Sequence, residues 1–322
     1  MCVGKMDQMP IPAPQEGNER ACEGGSQGFS LIFGANKNQP PAAMAKRPIL
    51  VPTDFSEVAD TALNHAVMLG KRAETDVYLA HIVEDKKNVD EGRKKLQKAK
   101  EEIQKEDNFE IKTLVRVGDI LEDIGDLASE LDAALVVMGT KGLRGLQWIT
   151  GGGALRVVTG SKVPYIITQK KKIGPEGYDD ILVPLDLHKE TKQKLSLVAD
   201  ASVYFDSRVH ILVPKERDEF LRNKLERNMK YASRFFEDKG IPYTTKISEY
   251  DSDDFDDGII AYAKEIDVDL ISIMNIPGIS LLNLIGGNFV QNVITNDAQI
   301  PVLVLNPKEI THINIFGAYM GR

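Results

Sequence analysis

An internal repeat constrains the fold of this chain more than any other feature of its sequence. Residues 49–54 read Ile-Leu-Val-Pro-Thr-Asp, and residues 181–186 read Ile-Leu-Val-Pro-Leu-Asp, at an offset of 132 residues (181 − 49). Two later apolar segments, which begin at Pro164 and Pro301, are offset by 137 residues (301 − 164). Such self-similarity indicates that one folding unit of about 130 residues occurs twice. We therefore predict two tandem copies of a single architecture.

Each copy alternates short apolar segments with longer amphipathic or charged ones. Residues 89–106, for example, are highly charged and carry Leu96, Ala99 and Ile103 on one helical stripe. Strands that alternate with helices are typical of a parallel sheet covered on both faces. We predict an α/β fold with two tandem open parallel sheets of five strands each, Rossmann-like, with helices on both faces. The predicted strands are residues 48–52, 77–83, 111–117, 134–138 and 164–168, and then 181–186, 209–213, 243–247, 270–274 and 301–305.

The segments outside the repeats have a different composition. Residues 1–46 are rich in Gly, Pro, Gln, Asn and Ala, so we expect disorder there. Because Met44 directly precedes the first regular pattern, residues 1–43 are interpreted as an over-extended gene start or a dispensable leader. The predicted domains are residues 47–172 and 178–307, joined by a short linker, and residues 308–322 form a tail that adds an edge strand or docks on a partner.

Charge and composition exclude several classes of protein. The formal net charge of −8 argues against a general nucleic-acid binder, which needs a basic face to replace counterions. Both cysteines, Cys2 and Cys22, precede the predicted folded part, which therefore has no disulfide framework, thiolate metal site or cysteine nucleophile. No apolar run reaches the roughly 20 residues of a membrane span, and no secretory signal is evident. We expect a cytoplasmic protein without a resident metal.

A glycine-rich segment follows the fourth predicted strand of the first copy. Gly139 and Gly142 end the apolar run, and Gly151, Gly152 and Gly153 precede a helix-like stretch from Ala154 to Thr159. Glycine lets a backbone approach a ligand closely and aim its N–H groups at one point, and a helix start adds further N–H groups. This pattern predicts a phosphate cradle. The alternative is a simple turn followed by a flexible corner, and spacing alone leaves both interpretations open.

An acidic and an apolar element are predicted at the same edge of the sheet. Ligands bind beyond the carboxyl ends of parallel strands, at the point where the strand order reverses. Asp54 follows the first strand, and Ile82 and Val83 end the second. A carboxylate could bind base or ribose donors while the apolar residues line the base and glycine N–H groups bind phosphates. Asp54 has a purely structural alternative, which is to cap the turn before the first helix.

The chain resembles the universal stress protein family in its tandem form. The residues that carry the resemblance are 49–56, 81–83, 117–119 and, above all, 137–142 with the later Gly152. The ATP-binding members of that family carry Gly, two residues, Gly, nine residues, and then Gly followed by Ser or Thr. Gly139, Gly142 and Gly152 match this spacing, although Gly153 stands where the hydroxyl residue belongs and Gly151 is an alternative match.

The resemblance covers roughly residues 46–307 and implies a function in stress response. It implies adenine nucleotide binding, with ATP and an accompanying Mg²⁺ as the expected cofactors, and a dimer-like pairing of domains. It also implies a fold related to that of the adenine nucleotide alpha hydrolases. The residues expected at the site are Pro52, Thr53, Asp54, Ile82, Val83, Met138, Gly139, Thr140, Gly142, Gly151, Gly152, Gly153 and Ala154.

The second copy departs further from the family pattern. Asp186 keeps the acidic position, but Asn275 stands where the first glycine belongs, and Pro277 has no N–H to donate. The loop that follows contains Leu281, Leu282, Leu284 and Ile285, which suit packing against another domain better than phosphate binding. We predict that this copy has lost ATP binding or binds something else.

Three functions remain open at this stage. The first is a stress-response module whose bound nucleotide alters partner binding. The second is a slow ATPase or a self-phosphorylating protein with Thr140 or Thr150 as acceptor, although no general base, nucleophile or metal site is evident. The third is an interaction protein that binds no nucleotide. In each case we expect the apolar fifth strands, 164–168 and 301–305, to pair as a pseudo-twofold, so that one chain imitates a homodimer.

Overall fold

A computed structural model of the protein describes residues 47–140, 151–159, 161–276 and 289–307. The segments predicted to be a disordered leader (1–46) and a tail (308–322) lie outside the described residues. So do Gly142, Thr150, Pro277 and the apolar loop that follows it, and the predictions made for them remain predictions.

The described strands form one sheet of ten strands in the order β3-β2-β1-β4-β5-β10-β9-β6-β7-β8. Every neighbouring pair is parallel except β5 and β10, which are antiparallel. The predicted α/β class is confirmed, and the two five-stranded sheets are continuous with each other. The strands are β1 Ile49–Pro52, β2 Val77–Val83, β3 Lys112–Val117, β4 Leu135–Gly139, β5 Tyr165–Thr168, β6 Asp180–Pro184, β7 Arg208–Lys215, β8 Tyr243–Asp251, β9 Leu270–Met274 and β10 Val302–Leu305.

Helices cover both faces of the sheet. The helices are α1 Glu57–Ala73, α2 Val89–Asp107, α3 Ile120–Glu130, α4 Gly151–Thr159, α5 Lys194–Phe205, α6 Glu219–Asp238, α7 Phe255–Glu265 and α8 Phe289–Ile294. One apolar cluster contains residues of α1, α2, α5 and α6, and the other contains residues of α3, α4, α7 and α8. Because successive side chains of a strand point to opposite faces, the neighbours Leu50 and Val51 lie in different clusters.

The two halves of the chain, β1–β5 and β6–β10, join where β5 meets β10. Ile166 pairs with Leu303 and Ile167 with Val302, so the predicted pairing of the two fifth strands is confirmed. The antiparallel pairing makes the strand orders 3-2-1-4-5 and 10-9-6-7-8 mirror each other. Reciprocal hydrogen bonds support the junction. Gln169 Nε2 donates to the carbonyl of Asn296 at 2.7 Å, and Asn306 Nδ2 donates to that of Ser161 at 2.8 Å.

A buried histidine ties the connection between the halves to α1. His65 Nε2 lies 3.0 Å from the carbonyl oxygen of Lys171, and Nδ1 lies 2.8 Å from the hydroxyl of Tyr178. Since a carbonyl can only accept, Nε2–H donates to Lys171 and Nδ1 accepts from the Tyr178 O–H. Both nitrogens of the neutral ring are therefore hydrogen-bonded, and a proton on Nδ1 would break the bond from Tyr178. Burial lowers the pKa of His65 from 6.5 to about 4.

We expect His65 to make the stability of the chain depend on pH. Because the unfolded state binds a proton near pH 6.5 and the folded state only near pH 4, this stability is complete above pH 6.5. It decreases as the pH falls toward 4, by about 3 kcal/mol in total. His65→Gln removes the titrating group. The difference in free energy of unfolding between wild type and H65Q, measured by urea denaturation, should therefore change over this window. A pH-independent difference would contradict the assignment.

Three elements differ from the sequence prediction. The predicted helix at 154–159 begins at Gly151, so the three glycines belong to its first turn instead of a preceding loop. Strand β8 continues to Asp251, four residues beyond the predicted end. The sequence analysis missed α5, which begins at Lys194 after a short 3₁₀ helix at Lys189–Gln193.

Candidate functional site

The candidate site lies where the strand order of the first half reverses. From β1 the chain passes to β2 on one side of the sheet, whereas β4 pairs with β1 on the other side. The helices that follow these strands, α1 and α4, pack in different core clusters on opposite faces, and the rule for parallel sheets places a crevice at the carboxyl ends of β1 and β4. The structure brings Pro52, Thr53 and Asp54 of the first loop to the same edge as Met138, Gly139 and Thr140.

Asp54 is held in a tight turn between β1 and α1. Its Oδ1 accepts from the backbone N–H of Ser56 at 3.0 Å, and Thr53 Oγ1 accepts from the N–H of Phe55 at 2.9 Å. The N–H of Thr53 donates to the carbonyl of Ala80 at 2.8 Å, which fixes the turn to β2. Phe55 has a φ of 62°, a left-handed conformation that non-glycine residues rarely adopt outside constrained turns. The carboxylate therefore has a fixed position and remains partly accessible.

Ser56 occupies the N-cap position of α1, but its side chain makes no capping hydrogen bond. The Oγ atom is buried and has no hydrogen-bond partner among the described residues. Buried hydroxyls are usually satisfied, so this oxygen is an exception next to the start of α1. Asp54 can hold the turn and contact a ligand at the same time. The Ser56 N–H binds only one of its carboxylate oxygens, Oδ1.

The end of β2 is more enclosed than the sequence analysis expected. Ile82 and Val83 are both buried and point to opposite faces of the sheet, so they do not form one continuous wall. His81, which the sequence analysis did not assign to the site, links β2 to the turn. Its Nδ1 lies 2.8 Å from the Thr53 carbonyl, and its ring centroid lies 4.6 Å from that of Phe55. No periodicity in the sequence could have revealed this contact between residues 28 positions apart.

Gly139 is required by packing, whether or not a ligand binds. A Cβ atom at this position would lie 2.4 Å from the carbonyl oxygen of Val58, in the first turn of α1. The same contact shows that the end of β4 lies directly against the start of α1, close to Asp54. Met138 and Thr140 are buried on either side of Gly139, and the N–H of Thr140 donates to the carbonyl of Thr168 at 2.8 Å.

Helix α4 is the next described element after β4. Gly151, Gly152 and Gly153 form its first turn, and Ala154 is fully buried in the core. The first N–H groups of a helix have no intrahelical acceptor and attract anions. Ordering glycines in a helix costs conformational entropy, but it fixes the direction of their N–H groups. Gly142, the second glycine of the predicted motif, lies outside the described residues.

The equivalent edge of the second half is filled by its own side chains. Asp186 Oδ1 accepts from the His188 N–H at 2.7 Å and repeats the turn of Asp54. Lys194 stands at the position of Ala62, at the same offset of 132 (194 − 62), and is 2% exposed. Its Nζ donates to the Pro184 carbonyl at 2.5 Å, at the end of β6, and burial lowers its pKa to about 7. The Lys194 side chain thus occupies the base of this crevice.

Asn275, which replaces the first glycine of the motif, contributes to the junction between the halves. Its Nδ2 donates to Asn306 Oδ1 at 2.7 Å and lies 3.3 Å from Thr159 Oγ1 at the end of α4. The residue is buried. In the second half, the side chain at this position therefore makes hydrogen bonds that a glycine could not make.

Two further features are absent from the described residues. No group of three or more His, Cys, Asp or Glu side chains could hold a metal ion there. None of the helices in that part of the chain is long and apolar enough to cross a membrane.

The chain is similar to known proteins in its sequence and in its fold. Residues 46–169 match the sequence model of the universal stress protein family. A universal stress protein of Methanocaldococcus jannaschii is 29% identical over 143 residues, which cover 39% of this chain and 84% of that protein. A solved universal stress protein from Archaeoglobus fulgidus covers 82% of this chain and 100% of its own, at 20% identity and a TM-score of 0.66. The last comparison supports the fold of both halves.

Proposed function

Because the first half of the chain matches the universal stress protein family, we propose that this half binds an adenine nucleotide, with ATP as the principal candidate. We further propose that nucleotide occupancy alters the binding of a protein partner in a stress response. The family match spans residues 46–169, which include every residue expected at the site. The proposal concerns this crevice alone, since the corresponding edge of the second half contains Lys194 and Asn275.

The observation that carries the proposal is the position of Asp54 and Gly139 at adjacent strand ends, where the strand order reverses. The carboxylate is fixed by the Ser56 N–H, and Gly139 lies against the first turn of α1. The acidic group suits a ligand that has hydroxyl or amino donors at one end. The glycine backbone next to it suits phosphates at the other end.

Each group has a distinct role in the proposed complex. Asp54 accepts hydrogen bonds from the base or the ribose, and the N–H groups of Gly151–Gly153 and of the loop that contains Gly142 bind the phosphates. The buried side chains of Ile82, Val83, Met138 and Ala154 keep the crevice rigid. Mg²⁺, when present, binds mainly to the phosphates and water, as it commonly does with nucleoside triphosphates.

Replacing Asp54 with Asn tests the acidic contact. The Asn side chain can still accept from the Ser56 N–H, so the turn is retained while the charge is lost. A hydrogen bond to a charged acceptor is worth about 1.5–3 kcal/mol, so we expect the dissociation constant for ATP to rise about tenfold or more. Equilibrium dialysis with labelled ATP measures the change. Asp186→Asn is the matched control, because it makes the same substitution in the same turn of the second half.

The control variant also determines which results would contradict the proposal. Equal weakening by D54N and D186N, or unchanged affinity in both, would show that the nucleotide does not contact Asp54. A second pair of variants tests Gly142 separately from the turn that contains Asp54. Gly142→Val should abolish binding, whereas Gly174→Val, where a new Cβ meets nothing within 4 Å, should not. No binding at millimolar ATP would favour a pure interaction protein, and phosphate release over hours would favour the slow ATPase.

A further inference from the structure

A hydrogen-bonded chain of polar side chains crosses the second half at the opposite edge of the sheet. Asp180 and Arg208 are the first residues of β6 and β7, and His210 and Thr244 are opposite each other on β7 and β8. These positions lie near the amino ends of the strands, whereas the proposed nucleotide site lies at the carboxyl ends of β1 and β4. The two groups of residues therefore share no side chain.

The distances define a continuous relay from a carboxylate to a hydroxyl. His210 Nε2 lies 2.7 Å from Asp180 Oδ1, and His210 Nδ1 lies 2.8 Å from Thr244 Oγ1. Arg208 also donates to this carboxylate, with Nε 2.8 Å from the same Oδ1 and Nη2 3.2 Å from Oδ2. The imidazole side chain is only 8% exposed, whereas Thr244 is exposed. The base is thus shielded from solvent and the hydroxyl is accessible.

The direction of each hydrogen bond follows from the chemistry of the groups. Burial alone would raise the pKa of Asp180, but hydrogen bonds from Arg208 and His210 outweigh it and hold the pKa below its usual range. An ionised carboxylate can only accept, so the neutral imidazole carries its proton on Nε2. Nδ1 is then an acceptor, and the Thr244 O–H donates to it. A hydroxyl that donates to a histidine, which a carboxylate orients, has the arrangement of an activated nucleophile.

We propose that Thr244 is a nucleophile that accepts an acyl group from an activated ester, with His210 as the general base and Asp180 as the residue that positions it. Oγ1 bonds to the carbonyl carbon as the hydroxyl proton passes to His210 Nδ1. The ester C–O bond then breaks, and the leaving alkoxide or phenolate takes that proton. The products are an acyl-threonine ester and the free alcohol, and water releases the acyl group by the same route. No oxidant or other reactant is required.

Thr244 lies on the outermost strand of the described sheet, close to a charged side chain. Strand β8 is at the end of the sheet, and no strand in the described part of the chain pairs with its outer side. Lys246 follows on the same face as Thr244. Its Nζ lies 4.3 Å from the ring centroid of Tyr262, which packs edge-on against His210 at 6.5 Å. Lys246 Nζ also donates to both carboxylate oxygens of Glu265, at 3.0 and 2.8 Å, so an ion pair borders the cluster.

A purely structural role for these hydrogen bonds makes a different prediction. They could simply fasten β8 to β7, in which case Thr244 would have ordinary reactivity. The adjacent Thr245 is also exposed and points to the opposite face, away from His210. It therefore serves as a matched control for an exposed threonine on the same strand.

Acetylation by p-nitrophenyl acetate tests the proposal on the full chain. Peptide mass spectrometry should find an acetyl group on Thr244, formed faster than on Thr245 by about 100-fold or more, since general-base catalysis typically contributes that much. Thr244→Val should abolish the adduct, Thr245→Val should leave it unchanged, and Thr244→Ser should retain it. His210→Gln should slow it as strongly as the loss of the hydroxyl. Urea denaturation of each variant verifies that it is folded.

Two results would overturn the proposal. One is acetylation of lysines alone, with no adduct at Thr244 in the folded wild type. The other is equal labelling of Thr244 and Thr245. Both can be read from the wild type, so the test does not depend on the folding of the His210 variant.

Discussion

Ile166→Asp is expected to unfold the chain at room temperature or to reduce its free energy of unfolding by about 4 kcal/mol or more. Ile166 is 3% exposed, lies in the core cluster and pairs with Leu303 across the junction of the halves. A carboxylate at this place would have no partner and would lose its hydration. That penalty is several kcal/mol, compared with a total stability of about 5–15 kcal/mol for a typical domain. Urea denaturation followed by circular dichroism measures the loss.

Ile247→Asp provides the control for this experiment. It makes the same substitution within a β-strand, but Ile247 lies on the end strand β8 and is 51% exposed. The free energy of unfolding of I247D should decrease by no more than about 1 kcal/mol, because substitutions at exposed positions rarely cost more. Equal losses in the two variants would mean that β-propensity, and not burial at the junction, determines the result. A wild-type melting curve for I166D would show that the two halves do not join through β5 and β10.

Gly139→Ala is expected to cost about 3 kcal/mol, which is large for the addition of one methyl group. The backbone of Gly139 does not have a positive φ, so the cost does not arise from backbone conformation. It arises because the new Cβ would be 2.4 Å from Val58 O and 3.0 Å from Ala59 N. Both neighbours are backbone atoms of α1 and cannot rotate away. The helix would have to move from β4, which would disturb the turn that holds Asp54.

Gly125→Ala is the matched control for this prediction. Gly125 lies within α3, where a Cβ meets nothing within 4 Å, so the alanine should stabilise the protein by about 0.5–1 kcal/mol. Opposite signs for the two glycine substitutions would support the packing contact between β4 and α1. A neutral or stabilising effect of G139A would contradict that contact. The position of Gly139 in the proposed site would then need a different explanation.

The secondary structure was largely predictable because buried parallel strands leave a strong local pattern. β2 has the predicted bounds, Val77–Val83, and β9 has the predicted bounds, Leu270–Met274. α5 was missed because nearly every residue along it is apolar or small and its hydrophobic residues show little helical periodicity. β8 was predicted too short because its outer residues are polar and charged. An end strand has an exposed edge, so it lacks the continuous apolar run of a central strand.

The candidate site could be predicted only in part. Its location followed from the positions of Asp54 and Gly139 in the repeat, together with the general rule for parallel sheets. The sequence did not indicate that Ile82 and Val83 are enclosed, that Ser56 Oγ lacks a partner, or that Gly139 contacts Val58. Each of these depends on how closely two elements approach each other. That distance cannot be deduced from the sequence of a single strand or helix.

The sequence by itself determined the repeat, the α/β class and the order of the elements, because periodicity and glycine placement are local properties of the chain. Tertiary structure alone decided which neighbours the side chains have. It joined β5 to β10 in one sheet, placed Lys194 under the second crevice, and aligned Asp180, His210 and Thr244 on three strands. Hydrogen bonds of under 3 Å join residues that are 30 and 34 positions apart in this last group. Such contacts exist only after the strands have assembled in register, because register sets which side chains meet.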